Sequence, residues 1–325
     1  MRLHTVAPDD REKLDRVHRL LDRARAHDHP TAPARSPREL LSLAAAPGPN
    51  GETQFTALGD DPVAVAETLF FPGTNSHMAH LRIAVDPEQR HLGHGTALYR
   101  SAMKELAAEG RREVIAGVRL PSEAGTAFAE GRGFTVAVVN RARRCDAHGL
   151  TDGELREFEN PAGSADYEIR AWTGPTPPHD LPLVAALDAA ANALIPQGDL
   201  TFQAGEADAE ALACEEEKLL STGAGMVQAL AVHRPTGEPA AWTRMDLPPD
   251  AAHAYQGMTL VAPGHRGHRL GLTVKAAALL RLRASANGVR WIWTSNAEEN
   301  SPMAAINERL GYRPAGRTAM YRKVL

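Results

Sequence analysis

Cysteine is almost missing from this 325-residue chain: Cys145 and Cys214, 69 positions apart, are the whole supply. Two thiols make no disulfide framework, and without a second pair they make no structural zinc site; they read as ordinary reduced thiols. No His-Glu-x-x-His or Cys-x-x-Cys string calls for a metal, so none is expected. Basic excess is missing too. Lys plus Arg number 36 against 40 Asp plus Glu, a net charge of −4, which sets aside a strongly basic nucleic-acid binder. Residues 1–150 carry 20 basic and 19 acidic groups, leaving 16 and 21 for residues 151–325, so neither half is a polyanion trap. No apolar run approaches the roughly 18 residues of a membrane span. The opening MRLHTVAPDDREKLDR turns charged where a signal peptide needs an apolar core, so a soluble cytoplasmic protein is expected.

What the chain does have is length for about two domains and an internal repeat. Residues 85–100 read VDPEQRHLGHGTALYR and residues 261–275 read VAPGHRGHRLGLTVK. Val85, Pro87, Arg90 and Gly95 meet Val261, Pro263, Arg266 and Gly271, each at an offset of 176; Gly133-Phe134 meets Gly311-Tyr312 at 178. Four spaced elements recur in order, which one chance loop cannot produce. Two copies of one domain follow.

Each copy shows the same order of elements. A strand (80–85; 257–261) enters the Pro-x-x-Arg loop, and a helix follows (96–109; 272–286). In the second helix Leu272, Val274, Ala276, Leu279, Leu280 and Leu282 form a broad apolar face, with Lys275, Arg281 and Arg283 expected outward. Gly110 and Gly288 stand where a helix stop is expected. Strands at 113–118 and 289–294, a second helix and a last strand complete an α/β domain. The polar stretch with scattered Gly and Pro places the boundary near 147–165: an N-terminal domain 1–147, a linker 148–165 and a C-terminal domain 166–325. The seven acids of Asp199–Glu217 read as a solvated helix face or a site drawing a cationic substrate.

The loop Arg90-His91-Leu92-Gly93-His94-Gly95 lies between strand and helix. Small residues let the main chain wrap a ligand, and the helix start aims free N–H groups at it, which suits a phosphate. A dinucleotide fingerprint fails, because Gly93-x-Gly95 continues to Leu98, and there is no Gly-Lys-Ser/Thr phosphate loop. The string Val-x-Pro-x-x-Arg-x-x-Gly-x-Gly, with Gly-Phe downstream, resembles the acetyl-CoA signature of the GCN5-related N-acetyltransferase (GNAT) superfamily, in a tandem layout similar to that of mycothiol synthase.

That resemblance implies two tandem GNAT-like α/β domains, each a mixed, mostly antiparallel twisted sheet flanked by helices. It implies acetyl-CoA as co-substrate, held by Val85, Arg90, His91, Leu92, Gly93, His94, Gly95 and Thr96 in the first copy. In the second it implies Val261, Arg266, Gly267, His268, Arg269, Leu270 and Gly271. Arg269 stands in place of the first glycine and keeps the loop if its main chain stays ordinarily helical. Where the family often has a CoA-contacting Asn, the copies have Ser122 and Asn300. The loop histidines His91, His94, His265 and His268 either touch the anion or are simply exposed. A main-chain N–H near Val85 or Val261 is implied as the group that polarises the acyl carbonyl.

The family's usual proton-donating Tyr is absent: Ala129 and Asn307 occupy its place. Asn307 is a candidate hydrogen-bond donor or a bridge between packed elements. Asn296, at a strand end, contacts a substrate or caps the following helix. Tyr321 and Tyr255 are candidate proton donors, Tyr312 a core residue. Glu298 and Glu299 either orient a cationic acceptor or serve the helix N-terminus. The catalytic candidates are thus Asn296, Asn307 and Tyr321, and the second copy is the favoured catalytic one. The activity implied is acetyl transfer to an amine of a small molecule, by a monomer or homodimer without membrane contact. Two other readings stay open: an aminoacyl transferase drawing on charged tRNA through a strip such as Arg141-Ala142-Arg143-Arg144, or a non-catalytic CoA-binding regulator.

Overall fold

A computed structural model describes residues 2–45, 51–159, 165–194, 196–250, 252–285 and 288–325. The chain divides into two compact units: Met1–Val139 with Gly198–Leu200 and Arg317–Leu325, and Asn140–Gln197 with Thr201–Gly316.

In the first unit the strands are β1 (Leu3–Thr5), β2 (Glu52–Leu58), β3 (Ala64–Phe70), β4 (Met78–Val85) and β5 (Glu113–Leu120), flanked by helices α1 (Arg11–Asp28), α2 (Pro37–Ala45), α3 (His94–Ala108) and α4 (Glu123–Glu130). After α4 runs β6 (Thr135–Asp146). The sheet order is β1-β2-β3-β4-β5 and then the last strand of the chain, β12 (Arg313–Val324). All neighbours are antiparallel except β4 and β5. Apolar alternation on β3 and β4 faces Leu98, Ala102 and Leu106 of α3, which is the spacing of one helical stripe. On the other face Leu14, Val17, Leu20 and Leu21 of α1 close over Phe55, Ala57 and Val65.

The second unit repeats the plan. After α5 (Asp152–Glu159) come β7 (Tyr167–Thr173), α6 (Leu181–Leu194), α7 (Ala209–Ser221), β8 (Gly225–His233), β9 (Pro239–Leu247), β10 (His253–Val261), α8 (Leu270–Ser285), β11 (Trp291–Ala297) and α9 (Ser301–Arg309). The order is β7-β8-β9-β10-β11, and Asn140–Asp146 of β6 closes it antiparallel to β11. Each unit therefore takes its sixth strand from the other repeat. For that reason the compact units do not follow the expected bounds 1–147 and 166–325.

Two expectations need correction here. The stretch 148–165 is not all linker: Asp152–Glu159 is helical, with Leu155 wholly buried in the second unit's core; residues 160–164 lie outside the described ones. That helix covers α8, which is buried on every side from Leu270 to Leu279, so Lys275 does not face outward and Arg283 is turned back to the covering segment. Arg283 donates to the Ala147 and Leu150 carbonyls at 2.6 and 2.8 Å and to Asp152 at 2.6 Å; Thr273 donates to the Phe158 carbonyl at 3.0 Å. Lys275 is 2% exposed, whereas Arg281 is exposed as expected.

The acidic run is likewise not all solvated. Glu216 is fully buried and accepts from the Thr176 amide (2.6 Å), the Thr176 hydroxyl (2.7 Å) and Gln228 Nε2 (2.7 Å). Gln228 Oε1 accepts from Trp242 Nε1 at 2.9 Å, so each buried polar group in the set finds a partner.

Candidate active site

In both units the central parallel strand pair comes apart. β4 pairs with β5 only from Met78↔Glu113 to His80↔Ile115, and β10 with β11 only from His253↔Trp291 to Tyr255↔Trp293. Beyond these points the main chains diverge toward the glycine loops.

The two openings are built differently. In the first unit the β3–β4 ladder advances one residue for one, from Phe70↔Ala79 to Ala64↔Val85. In the second, Gln256 pairs with Met245 and Thr259 with Thr243, so β10 advances three residues while β9 advances two. This is a β-bulge with one extra residue left out of the ladder. The repeat arithmetic shows the same insertion: His80 and Tyr255 differ by 175, Val85 and Val261 by 176. Buried polar groups hold the bulge. Gln256 Nε2 donates to Thr243 Oγ1 and to the Arg244 carbonyl, both at 2.9 Å; Thr243 Oγ1 also lies 3.0 Å from the Met258 carbonyl and 2.7 Å from Thr259 Oγ1. Thr294 of β11 donates to the Gln256 carbonyl at 3.1 Å. Gly257 is exposed within the bulge; a Cβ there would stand 3.7 Å from Asp246 Oδ2.

Asp246 accepts from Arg244 Nε at 2.7 Å. Burial raises the carboxyl pKa of Asp188 on α6 and of Glu215 on α7; Arg244 partly offsets both, Glu216 raises both, and Asp188 raises Glu215 further. Acidic groups thus gather around Arg244 on the β9 side.

The loops share one main-chain plan with the glycine moved. Residues at two equivalent positions are left-handed: His91 (φ 64°) and Gly93 (84°) in the first loop, Gly267 (88°) and Arg269 (61°) in the second. Each loop meets one left-handed position with glycine and the other with a side chain, at a cost of roughly 1–2 kcal/mol for the latter. Arg269 is therefore not in the ordinary helical conformation that was expected to preserve the loop; the loop persists because the glycine stands two residues earlier. Gly95 and Gly271 are small for packing. A Cβ at Gly95 would meet Phe128 at 3.3 Å, and one at Gly271 would meet Ile306 Cδ1 at 3.0 Å and Val261 Cγ2 at 3.4 Å.

The other loop residues differ in surroundings. Arg90 donates to Asp28 through both terminal nitrogens (2.8 and 2.7 Å) and through Nε to the Val85 carbonyl (3.3 Å), while Arg266 is exposed. Thr96 Oγ1 accepts from Arg132 at 2.6 Å. His91, Leu92 and Gly93 are exposed and His94 half-buried; Leu270 is buried, so only its main chain faces the loop. His268 packs against Tyr167, ring centroids 5.5 Å apart, and Tyr167 hydroxyl and His265 Nδ1 lie within 3.1 Å. Val85 and Val261 end their strands beside the loops.

Of the three catalytic candidates, two are brought together. Asn307 Nδ2 donates to Asn296 Oδ1 at 2.8 Å. Asn296 lies on β11 beyond the last parallel pair, and it does not cap α9; Asn300 does, accepting from the Met303 amide at 3.3 Å. Ser122 caps α4 in the same way. Tyr321 is built into the first unit's core, its hydroxyl donating to Glu130 at 3.4 Å. Tyr255 stands edge-on to His253, and Tyr312 is buried. Glu298 pairs with Arg141 at 3.0 Å.

One residue of this set went unrecognised in the sequence. Lys275 Nζ donates to Asn307 Oδ1 at 2.6 Å and lies 5.0 Å from the centre of the Tyr312 ring. Burial pulls its amine down from 10.5 to about 7. Burial also pushes the neighbouring Cys145 thiol up to about 11 and the Tyr312 hydroxyl well above its usual value. A signal existed: Lys275 is the one charge in the apolar run from Leu270 to Leu280.

A split parallel strand pair feeding a glycine loop and a helix N-terminus is present twice in the chain. Residues 14–134 match the family model described as the acetyltransferase (GNAT) family. The chain has the tandem GNAT fold, and its first copy carries the domain that the family model describes. A tandem GNAT protein from the clavulanic acid biosynthesis pathway, solved without AcCoA, is 24% identical with a TM-score of 0.80, covering 99% of this chain and 98% of its own. A GCN5-related N-acetyltransferase from Sphaerobacter thermophilus is 16% identical at TM-score 0.70, with 99% and 95% covered. A region of a fungal multi-domain GH3 beta-N-acetylglucosaminidase, described as a GCN5-related glucosamine N-acetyltransferase, is 14% identical at 0.68; the match covers 99% of this chain and 38% of that one. Curated proteins give no match. No described helix is long and apolar enough to cross a membrane, and no described cluster of three or more His, Cys, Asp or Glu side chains is arranged to hold a metal ion.

Proposed function

We propose that the chain is an N-acyltransferase that moves an acetyl group from acetyl-CoA to an amine of a small molecule, with the second copy as the reacting one. The observation that carries the assignment is the bulge of β10, which the first copy lacks. It frees main chain at Gly257–Met258 from the ladder beside the split strands, where an N–H can meet a developing oxyanion. As repeats, the domains remain 1–147 and 166–325, each completed by a strand of the other.

The loop residues suit the pyrophosphate of CoA. A Cβ at Gly267 would meet nothing within 4 Å, and the helix of 270–285 opens directly behind the left-handed pair. Arg266 and Arg269, both exposed, add positive charge there. Acetyl-CoA supplies the thioester, and Asn300 retains its amide hydrogens for it. The amine is received on the β9 side, where Asp246, Glu215 and Asp188 favour a cation. The first copy, with its Gly93-x-Gly95 loop and no bulge, binds acyl-CoA or steadies the fold without reacting.

Amine-dependent release of CoA thiol from acetyl-CoA tests the proposal across a panel of small primary amines. Turnover with at least one amine is expected. Acetyl-CoA binding without turnover on any amine would turn the reading to a CoA-binding regulator.

A further inference from the structure

The second copy holds a buried polar set that the first copy does without. Lys275 stands where the first copy has Tyr99 (offset 176), and Asn307, Asn296 and Tyr312 stand where it has Ala129, Val118 and Phe134 (offset 178). There Tyr99 stands edge-on to Phe134 at 6.3 Å, and the half-buried Lys323 of β12 donates to the Tyr99 hydroxyl at 3.0 Å and to the Arg132 carbonyl at 2.6 Å. The fold therefore accepts a phenol in place of the helix amine and needs no pair of amides at these positions. Burying them costs stability compared with apolar packing, so another requirement keeps them.

Donor direction shows what that requirement is. Lys275 Nζ is the donor of the 2.6 Å contact, so Asn307 turns its Oδ1 toward the amine. Asn307 Nδ2 then faces Asn296 and must meet its oxygen, at 2.8 Å. That leaves the Asn296 N–H2 group pointing away from the relay, without a protein partner among the described residues. Asn296 is half-buried and sits three residues past Trp293, where β11 has left β10.

We infer that Lys275 is a positioning residue: through Asn307 it holds the Asn296 carboxamide with its hydrogens toward the split strands, where they donate to the sulfur anion of the departing CoA. The inference rests on the acyl transfer proposed above. In that transfer the amine lone pair forms the new N–C bond, and the C–S electron pair leaves on sulfur as thiolate. The proton shed by the amine passes to solvent. Asn296 contributes a hydrogen bond and no proton, so the relay needs no further reactant.

The test compares wild type, Asn296→Ala, Lys275→Met and the double variant. Each single change should lower kcat by about 10- to 100-fold, the worth of one hydrogen bond to a charged group. Acetyl-CoA Kd should stay within about threefold, and the double variant should lose no more than Asn296→Ala, because the two act in series. A second readout needs no turnover: the pKa of the thiol of bound CoA, followed by thiolate absorbance, should rise by about one unit in both single variants. A merely structural lysine would not move it. If Lys275→Met fails to fold, Asn296→Asp carries the test, since it lacks amide hydrogens and must lose at least as much as Asn296→Ala. Wild-type kcat and an unmoved thiol pKa in the single variants overturn the relay alone. Losses that multiply in the double variant do the same. A folded wild type that neither binds nor turns over acetyl-CoA removes the acyl-transfer reading, and the relay with it.

Discussion

Deleting Gly257 is expected to cut amine-dependent release of CoA by about 10²- to 10³-fold, the usual effect of losing one oxyanion donor. The deletion removes the one residue by which β10 exceeds its partner between Gln256↔Met245 and Thr259↔Thr243. The ladder can then run as β4 runs along β3, without interruption to Val85. The first copy shows that this fold accepts the unbulged strand, so loss of activity need not mean loss of structure. Gly257 is also the mildest residue to remove, being exposed and without a side chain. Circular dichroism should be unchanged and acetyl-CoA should still bind, because the loop 266–271 lies beyond the edited ladder. Retention of full activity by the folded deletion variant would separate the bulge from the chemistry.

The second large effect is on stability against pH. Lys275 titrates at about 7 in the folded chain and near 10.5 when unfolded. Between these values the unfolded state holds the extra proton, so stability rises as pH rises. From pH 7 to pH 9 the gain should be about 2 kcal/mol. Above about pH 9 the trend reverses. Cys145 is held protonated to about 11, and Tyr312 is raised as well, so the unfolded state then sheds protons that the folded state keeps. Urea unfolding at pH 7, 8 and 9 gives the slope directly. Lys275→Met should lack the rise that wild type shows, and equal slopes in the two proteins would mean that the amine is charged in the folded chain.

The repeat made much of the fold legible, because a loop that must wrap a ligand repeats its Pro, Arg and Gly at fixed spacing. Strand and helix order followed from apolar periodicity around it. The exchanged sixth strands were not legible: β6 and β12 have nothing in their patterns that says which sheet they complete. Lys275 was misplaced for a physical reason. A charge in a helix reads as solvent-facing unless another element covers that face, and the covering helix, Asp152–Glu159, is written in polar letters apart from Leu155 and Phe158. The bulge was hidden in a difference of one between two offsets, visible once the strand registers were known. Asn296 and Asn307 were found separately in the sequence, but only the fold joins them.

The most direct test of the central claim is calorimetric titration of acetyl-CoA into wild type, Gly95→Trp and Gly271→Trp, with folding checked by circular dichroism. A Cβ at Gly271 already meets Ile306 at 3.0 Å, and one at Gly95 meets Phe128 at 3.3 Å, so an indole cannot be housed without displacing the loop in its own copy. The account predicts a wild-type site that Gly271→Trp abolishes and Gly95→Trp leaves in place, with catalysis following the second loop. Loss of that site in Gly95→Trp alone would move the reaction to the first copy. No binding by folded wild type would contradict acetyl-CoA as the donor.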